Sequence, residues 1–231
     1  MGRVGTTDLT LQRASLLASV AIVCSVIEMI LAFLVGSMAD SAMFIALAHL
    51  ATVDIMPGMI GRAQISALSI GERFAFNDRR SEALAFVVTG ITSIIAASSA
   101  AFRAVAHFHA TPVNVLHIQQ VEKALVAASS AVVLYLLALA KRQTAAVIGS
   151  NALYSDAEGE SYSAYVAAGV LLTTLLTWII PRAPLDPIAA LVIAVILAWQ
   201  GIYGLRTGSH IYRADHADGD LGSGTSTYAP R

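Results

Sequence analysis

Charged side chains are scarce in this sequence, since only 13% of its 231 residues are Asp, Glu, Lys or Arg and 57% are hydrophobic. This composition excludes an ordinary soluble domain, in which about a quarter of the residues are charged. The formal net charge of −1 and the lack of a long basic block exclude nucleic acid as a partner, because phosphate binding requires clustered Lys and Arg. The only cysteine, Cys24, cannot form a disulfide within the chain. The composition therefore predicts an integral membrane protein in contact with the lipid bilayer.

Catalytic motifs are also missing from the sequence. There is no Ser/His or paired-Asp arrangement with catalytic spacing and no nucleotide-binding loop. We therefore predict that the protein is not an enzyme and holds no permanently bound cofactor.

Long apolar runs dominate what is present. A helix needs about 20 mostly apolar residues to cross a bilayer, and six runs are that long: 14–36, 41–61, 83–106, 120–140, 157–180 and 185–205. We expect an all-α integral membrane protein whose six transmembrane helices form one domain over residues 14–210. Residues 1–13 are a predicted cytoplasmic N-terminus, and residues 211–231, rich in Gly, Ser and Thr, are a predicted disordered cytoplasmic tail.

The distribution of basic residues predicts the orientation of these helices. Only Arg103, Lys123 and Arg182 lie on one side, whereas the remaining Lys and Arg residues, Lys141 and Arg142 among them, lie at the termini or in the even-numbered loops. Because basic residues concentrate on the cytoplasmic side, we predict that both termini are cytoplasmic. We expect a multi-pass protein of the plasma (inner) membrane.

Acidic residues at the start of the fifth run need an explanation, because ionisable side chains are costly in hydrocarbon and usually face the bundle interior or a watery cavity. Asp156 and Glu160 are four residues apart and share a helix face, which suits two oxygen ligands of one cation, while Glu158 points elsewhere. The same three residues would also be favourable at the positive end of a helix dipole. Both interpretations remain open at this point.

Three more ionisable residues fall inside predicted spans. Asp54 lies too far into the second span for a capping role. His49, five residues earlier, points about 140° away from Asp54 on an ideal helix, and it could simply form a hydrogen bond with a neighbouring helix. Glu28, in the first span, could pair with Arg103 or with a polar group of a neighbouring helix.

Four stretches, in their order along the chain, carry a family resemblance: GSMADSAMFIALAHLATVDIM (36–56), FAFNDRRSEALAFVVTG (74–90), SNALYSDAEGESYSAYVAAGVLL (150–172) and PLDPIAALVIAVILAWQGIYGLR (184–206). They resemble the second helix, the loop into the third, the fifth helix and the sixth helix of the cation diffusion facilitator family of divalent-metal/proton antiporters. With the six spans, the resemblance covers about residues 14–210. The chain resembles a divergent member that lacks the family's C-terminal cytoplasmic domain.

The resemblance implies a transport site formed by two positions on helix 2 and two on helix 5. Both helix-2 positions are acidic in the family. In this chain the second is acidic, as Asp54, whereas the first falls at Leu50, beside His49. The helix-5 positions fall at Gly159 and Ser163, with acidic residues before and around Gly159.

This departure from the family pattern has two interpretations: a slip of one residue in each helix rebuilds the site, or the site has decayed and the fold survives for another purpose. On the first interpretation we predict four metal ligands, with Glu28 and Glu158 supporting the site or relaying protons. The predicted ligands are His49, Asp54, Asp156 and Glu160.

The function that these expectations imply is efflux of a divalent metal cation in exchange for protons, by a homodimer. Histidine together with carboxylates suits zinc first, with manganese or iron as alternatives. The second hypothesis is a non-transporting membrane subunit or scaffold that keeps the fold and binds a protein partner, for example through residues 211–231. It predicts that Asp54 and Glu28 are satisfied by protein groups and that no hydrated cavity surrounds them.

Overall fold

A computed structural model of the chain describes residues 4–69, 79–109, 117–148, 151–180 and 183–222. Within these ranges 96% of the residues are helical and none is in a strand, and each of the six helices contains a stretch long and apolar enough to cross a membrane. The prediction of an all-α membrane protein with six spans is therefore confirmed. The helices are α1 (Val4–Met38), α2 (Ala42–Ser69), α3 (Arg79–His109), α4 (His117–Ile148), α5 (Asn151–Ile179) and α6 (Leu185–Gly222).

The helices extend beyond the apolar runs that predicted them. The N-terminal helix begins at Val4, inside the predicted N-terminal segment 1–13. At the other end, α6 continues to Gly222, so residues 211–222 of the predicted disordered tail are helical, while 223–231 lie outside the described residues. A helix can continue in polar sequence once it has left the apolar run, and no proline interrupts the chain between Pro187 and Pro230.

The second helix lies at the centre of the bundle. It contacts α1, α3, α5 and α6, and 59% of its apolar window is buried, against 28–33% for the other five helices. Large apolar side chains such as Phe44, Leu47 and Leu50 are fully buried along it. The helix that carries His49 and Asp54 is therefore surrounded by other helices on several sides.

Glycines allow α3 and α6 to approach each other at backbone distance. A Cβ atom at Gly204 of α6 would lie 2.9 Å from the carbonyl oxygen of Phe86, and one at Gly90 of α3 would lie 2.9 Å from the carbonyl oxygen of Gly201. Small residues at helix contacts are typical of membrane bundles, where close packing drives association. These two helices form the most extensive contact between any two helices in the described part of the chain.

A tight connection joins α1 to α2 and is held by the start of α6. Asp40 has a φ of 45°, the left-handed conformation that commonly ends a helix. The carboxylate of Asp186 accepts hydrogen bonds from the Ser41 hydroxyl and, at 3.2 Å, from the Met43 N–H. Asp186 therefore caps the N-terminus of α2 although it belongs to α6.

Candidate functional site

A buried ionic cluster lies between α4 and α5. The side chain of Lys141 is fully buried, and its ammonium group lies 2.6 Å from Asp156 Oδ2 and 2.5 Å from Glu160 Oε1. The four-residue spacing on α5 places both carboxylates against this one amine. The resulting triad carries two acidic groups for one basic group.

A second contact connects α2 to the same region of α5. The buried hydroxyl of Ser163 donates a hydrogen bond to Asp54 Oδ2 at 2.5 Å. The carboxyl groups of Glu28, Asp156 and Glu160 are all near enough to act electrostatically on Asp54. Acidic side chains from α1, α2 and α5 thus converge on one part of the bundle interior.

Glu28 of α1 is buried, with 7% of its surface exposed. Its carboxyl group interacts with the Ser130 hydroxyl of α4, whereas Arg103, the other partner considered from the sequence, is exposed on α3. The structure therefore pairs Glu28 with a polar group of a neighbouring helix, which is one of the two alternatives, and not with Arg103.

His49 lies apart from this acidic region. Its Nε2 atom is 3.0 Å from the Ser99 hydroxyl of α3, as expected for a histidine that binds a neighbouring helix. Glu158 is exposed on α5, away from the face that carries Asp156 and Glu160. Among the residues that the structure describes, no three His, Cys, Asp or Glu side chains lie close enough together to hold a metal ion.

The predicted ligands are therefore not assembled into one site in this structure. Asp156 and Glu160 meet at Lys141, Asp54 meets Ser163 beside them, and His49 is directed to α3. The metal site predicted from the sequence stays a prediction.

One carboxylate oxygen in the cluster has no partner. Glu160 Oε2 is buried and receives no hydrogen bond from any described residue, while the other oxygen of the same side chain binds Lys141. Buried polar atoms are nearly always hydrogen-bonded in folded proteins, because an unsatisfied one costs about 1–3 kcal/mol. This oxygen is therefore available to a further cation or donor.

Lys141 is the member of the cluster that the sequence does not predict. The fourth apolar run ends at residue 140 and places Lys141 in the following loop, whereas it lies inside α4 with 0% exposure. The ends of the helices in the structure explain its position, because α4 ends at Ile148 and α5 begins at Asn151. Two helices joined by so short a connection pack as a hairpin, which brings position 141 opposite positions 156–160.

The serine partners Ser99 and Ser130 were not singled out from the sequence either, and nothing in the sequence distinguishes them from the other serines of the spans. Comparison of the chain with known proteins finds no matching family model and no matching curated protein. The resemblance to the cation diffusion facilitator family thus stays a prediction as well.

Proposed function

We propose that this multi-pass membrane protein transports a divalent cation in exchange for protons, along a path between α2 and α5. The proposal includes a location in the plasma (inner) membrane with both termini cytoplasmic. Ionisable residues inside a membrane bundle are costly to maintain and usually mark ion or proton pathways. Here four helices contribute such residues to one region: Glu28, Asp54, Lys141, Asp156 and Glu160.

The observation that carries the proposal is the contact between Asp54 and Ser163, which joins α2 to α5 beside the acidic cluster. The resemblance registers these two residues on ligand positions of the family's transport site. Their contact is independent support, because the order of motifs in the sequence contains no information about distances between helices. Glu160, one turn before Ser163, adds carboxylate oxygens close by.

Proton exchange has a chemical basis in the same residues. Carboxylates must be deprotonated to bind a metal ion, so binding releases protons and protonation releases the metal. Asp54, Asp156 and Glu160 can each bind a metal ion when deprotonated and carry a proton when the metal has left. In this mechanism the cation and the protons use the same side chains in turn, which links the two fluxes.

A second candidate function is a non-transporting membrane subunit that acts by binding a protein partner. One observation favours it: Asp54 and Glu28 already interact with protein hydroxyl groups, as that hypothesis predicts. The unpaired Glu160 oxygen and the excess of acidic over basic groups favour transport instead. Measured flux separates the two.

The test is cation flux into proteoliposomes that contain a metal-responsive dye and a pH dye. We expect the wild type to move Mn²⁺ or Zn²⁺ with protons moving in the opposite direction. Asp54→Asn and Asp156→Asn are expected to reduce flux to the level of protein-free liposomes, because each removes a carboxylate from the path. Glu122→Gln is the matched control, since this carboxylate is exposed at the start of α4.

Absence of flux from folded wild-type protein, across manganese, zinc, iron, cobalt and cadmium, would overturn the transport proposal. Flux that persists in both Asp variants would place the path elsewhere in the bundle. In the first case the non-transporting subunit becomes the leading hypothesis, and binding partners would be sought with the full chain.

A further inference from the structure

The ammonium group of Lys141 occupies the place between Asp156 and Glu160 where two carboxylates could hold a cation. All three groups belong to the interior of the bundle: Lys141 has 0% of its side chain exposed, Asp156 9% and Glu160 7%. The lysine comes from α4 and the two acids from α5. The ammonium group is therefore a cation that is covalently tethered to the protein and bound by two carboxylates.

The acidic groups at this position outnumber the basic ones. With both carboxyl groups ionised, two carboxylates and one ammonium group carry one negative charge in excess, and Glu160 Oε2 has no donor among the described residues. A buried ion pair is weak evidence for a stabilising role, because apolar residues of similar volume are often as stable. An unpaired, buried carboxylate oxygen further disfavours a purely structural role. A ligand that binds this oxygen would explain both features.

We infer that Lys141 is an internal substitute for the transported cation, and that a divalent cation displaces it from Asp156 and Glu160. The inference rests on the proposed function and adds to it that the Lys141 ammonium group competes with the transported cation for Asp156 and Glu160. A divalent ion neutralises both carboxylates, whereas the ammonium group neutralises one. Lysine carries its charge on a flexible four-carbon stem, so the ammonium group can leave by side-chain rotation while α4 stays in place.

The donor atoms of this part of the bundle indicate which cation fits. Asp156 and Glu160 offer oxygen at Lys141, Asp54 and Ser163 offer oxygen at the contact between α2 and α5, and the one histidine of α2, His49, contacts Ser99 on α3. Carboxylate and hydroxyl oxygens suit hard ions such as Mn²⁺ and Mg²⁺, while imidazole suits zinc. The displacing cation is therefore a hard divalent ion, which changes the first expectation from zinc to manganese or magnesium.

The test is Mn²⁺ binding to the purified full-length protein in detergent, measured by calorimetry. We expect Lys141→Gln to bind Mn²⁺ about tenfold more tightly than the wild type or better, because removal of a competing ligand of typical coupling has an effect of this size. Lys123→Gln is the matched control: it removes the other buried lysine of α4, which lies near Asp40 and Asp186 instead. Its Mn²⁺ affinity is expected to equal that of the wild type.

Unchanged or weaker Mn²⁺ binding by Lys141→Gln would overturn the inference. If this variant does not fold, the wild type provides a second measurement: modification by an amine-reactive reagent, quantified for each lysine by mass spectrometry. Saturating Mn²⁺ should increase modification of Lys141 severalfold and leave Lys123 unchanged. Equal modification of Lys141 with and without Mn²⁺ would overturn the inference just as clearly.

These outcomes are distinguishable from failure of the proposed function, because binding is measured without flux. Tighter Mn²⁺ binding by Lys141→Gln in a protein that moves no ion would support competition by Lys141 and overturn the transport proposal. Cation flux in a protein whose Mn²⁺ affinity does not depend on Lys141 would support transport and overturn competition by Lys141.

Discussion

At the scale of single residues, Asp186 is the clearest example of a side chain whose role depends on a distant helix. Its carboxylate lies at the start of α6 and binds Ser41 and the Met43 N–H at the start of α2. We expect Asp186→Ala to destabilise the protein by about 1–2 kcal/mol, the usual cost of losing a helix N-cap. Thermal unfolding in detergent micelles would measure this, and Asp186→Asn, which keeps one acceptor, should lie between the alanine variant and the wild type.

The control for this prediction is Glu122→Ala, which removes an exposed carboxylate near the start of α4. It should leave the midpoint of unfolding unchanged. Equal midpoints for Asp186→Ala and Glu122→Ala would mean that the capping contact contributes nothing measurable.

Residue-scale predictions from the sequence succeeded only where spacing alone decides the geometry. The pair Asp156 and Glu160 could be placed on one face because a helix brings positions four apart together. The partner of that pair could not be predicted in the same way, because it depends on how far α4 continues beyond its apolar run and on how α4 is rotated. The same holds for Ser99 and Ser130, whose selection depends on the rotation of α3 and α4 about their axes.

At the scale of elements, the contact between α3 and α6 depends on glycine. A Cβ atom at Gly204 would lie 2.9 Å from the backbone oxygen of Phe86, and this oxygen cannot move without shifting α3. We therefore expect Gly204→Ala to destabilise the protein by about 1–3 kcal/mol, as overpacking usually does. Unfolding by heat in detergent would show the loss.

The matched control for this substitution is Gly169→Ala on α5. A Cβ atom at Gly169 meets nothing within 4 Å, so the only effect left is helix propensity, which favours alanine by about 1 kcal/mol. The two substitutions should therefore change stability in opposite directions. A stabilising Gly204→Ala would mean that α3 and α6 can separate at little cost.

Helix number was predictable from the sequence, whereas helix ends were not. Hydropathy reports the residues that cross the hydrocarbon, so six apolar runs predicted six helices. It does not report where hydrogen bonding along the helix stops, and α4 continues through Lys141 and Arg142 to Ile148. This difference matters for function, because it moves Lys141 from a loop into the candidate site.

At the scale of the whole molecule, two ionic regions occupy different levels of the bundle. One contains Asp40, Lys123 and Asp186, where Lys123 is within electrostatic reach of both acids. The other contains Lys141 and its carboxylates. The two lysines lie on the same helix, and at 1.5 Å per residue their positions are about 27 Å apart along its axis. This separation is close to the thickness of the hydrocarbon core, which is about 30 Å.

When α4 spans the bilayer, the two regions lie near its opposite faces, and their orientation can be tested. With cytoplasmic termini, the start of α4 faces outward and the end of α6 faces the cytoplasm. The single cysteine makes the experiment simple: in a Cys24→Ser background, cysteine is introduced either in place of Glu122 or in place of Arg213, both of which are exposed. Labelling with a membrane-impermeant maleimide, before and after cell lysis, reports the side of each position.

We expect Glu122→Cys to react in intact cells and Arg213→Cys to react only after lysis, because α4 begins and α6 ends on opposite faces of a six-span protein. The unmodified Cys24→Ser protein is the control for background labelling. Reaction of Arg213→Cys in intact cells, with Glu122→Cys protected, would reverse the orientation and place Lys141, Asp156 and Glu160 toward the outer face. The cation would then meet Lys141 from the outer side of the membrane, and Mn²⁺ added outside intact cells would reach Asp156 and Glu160 without crossing the bundle.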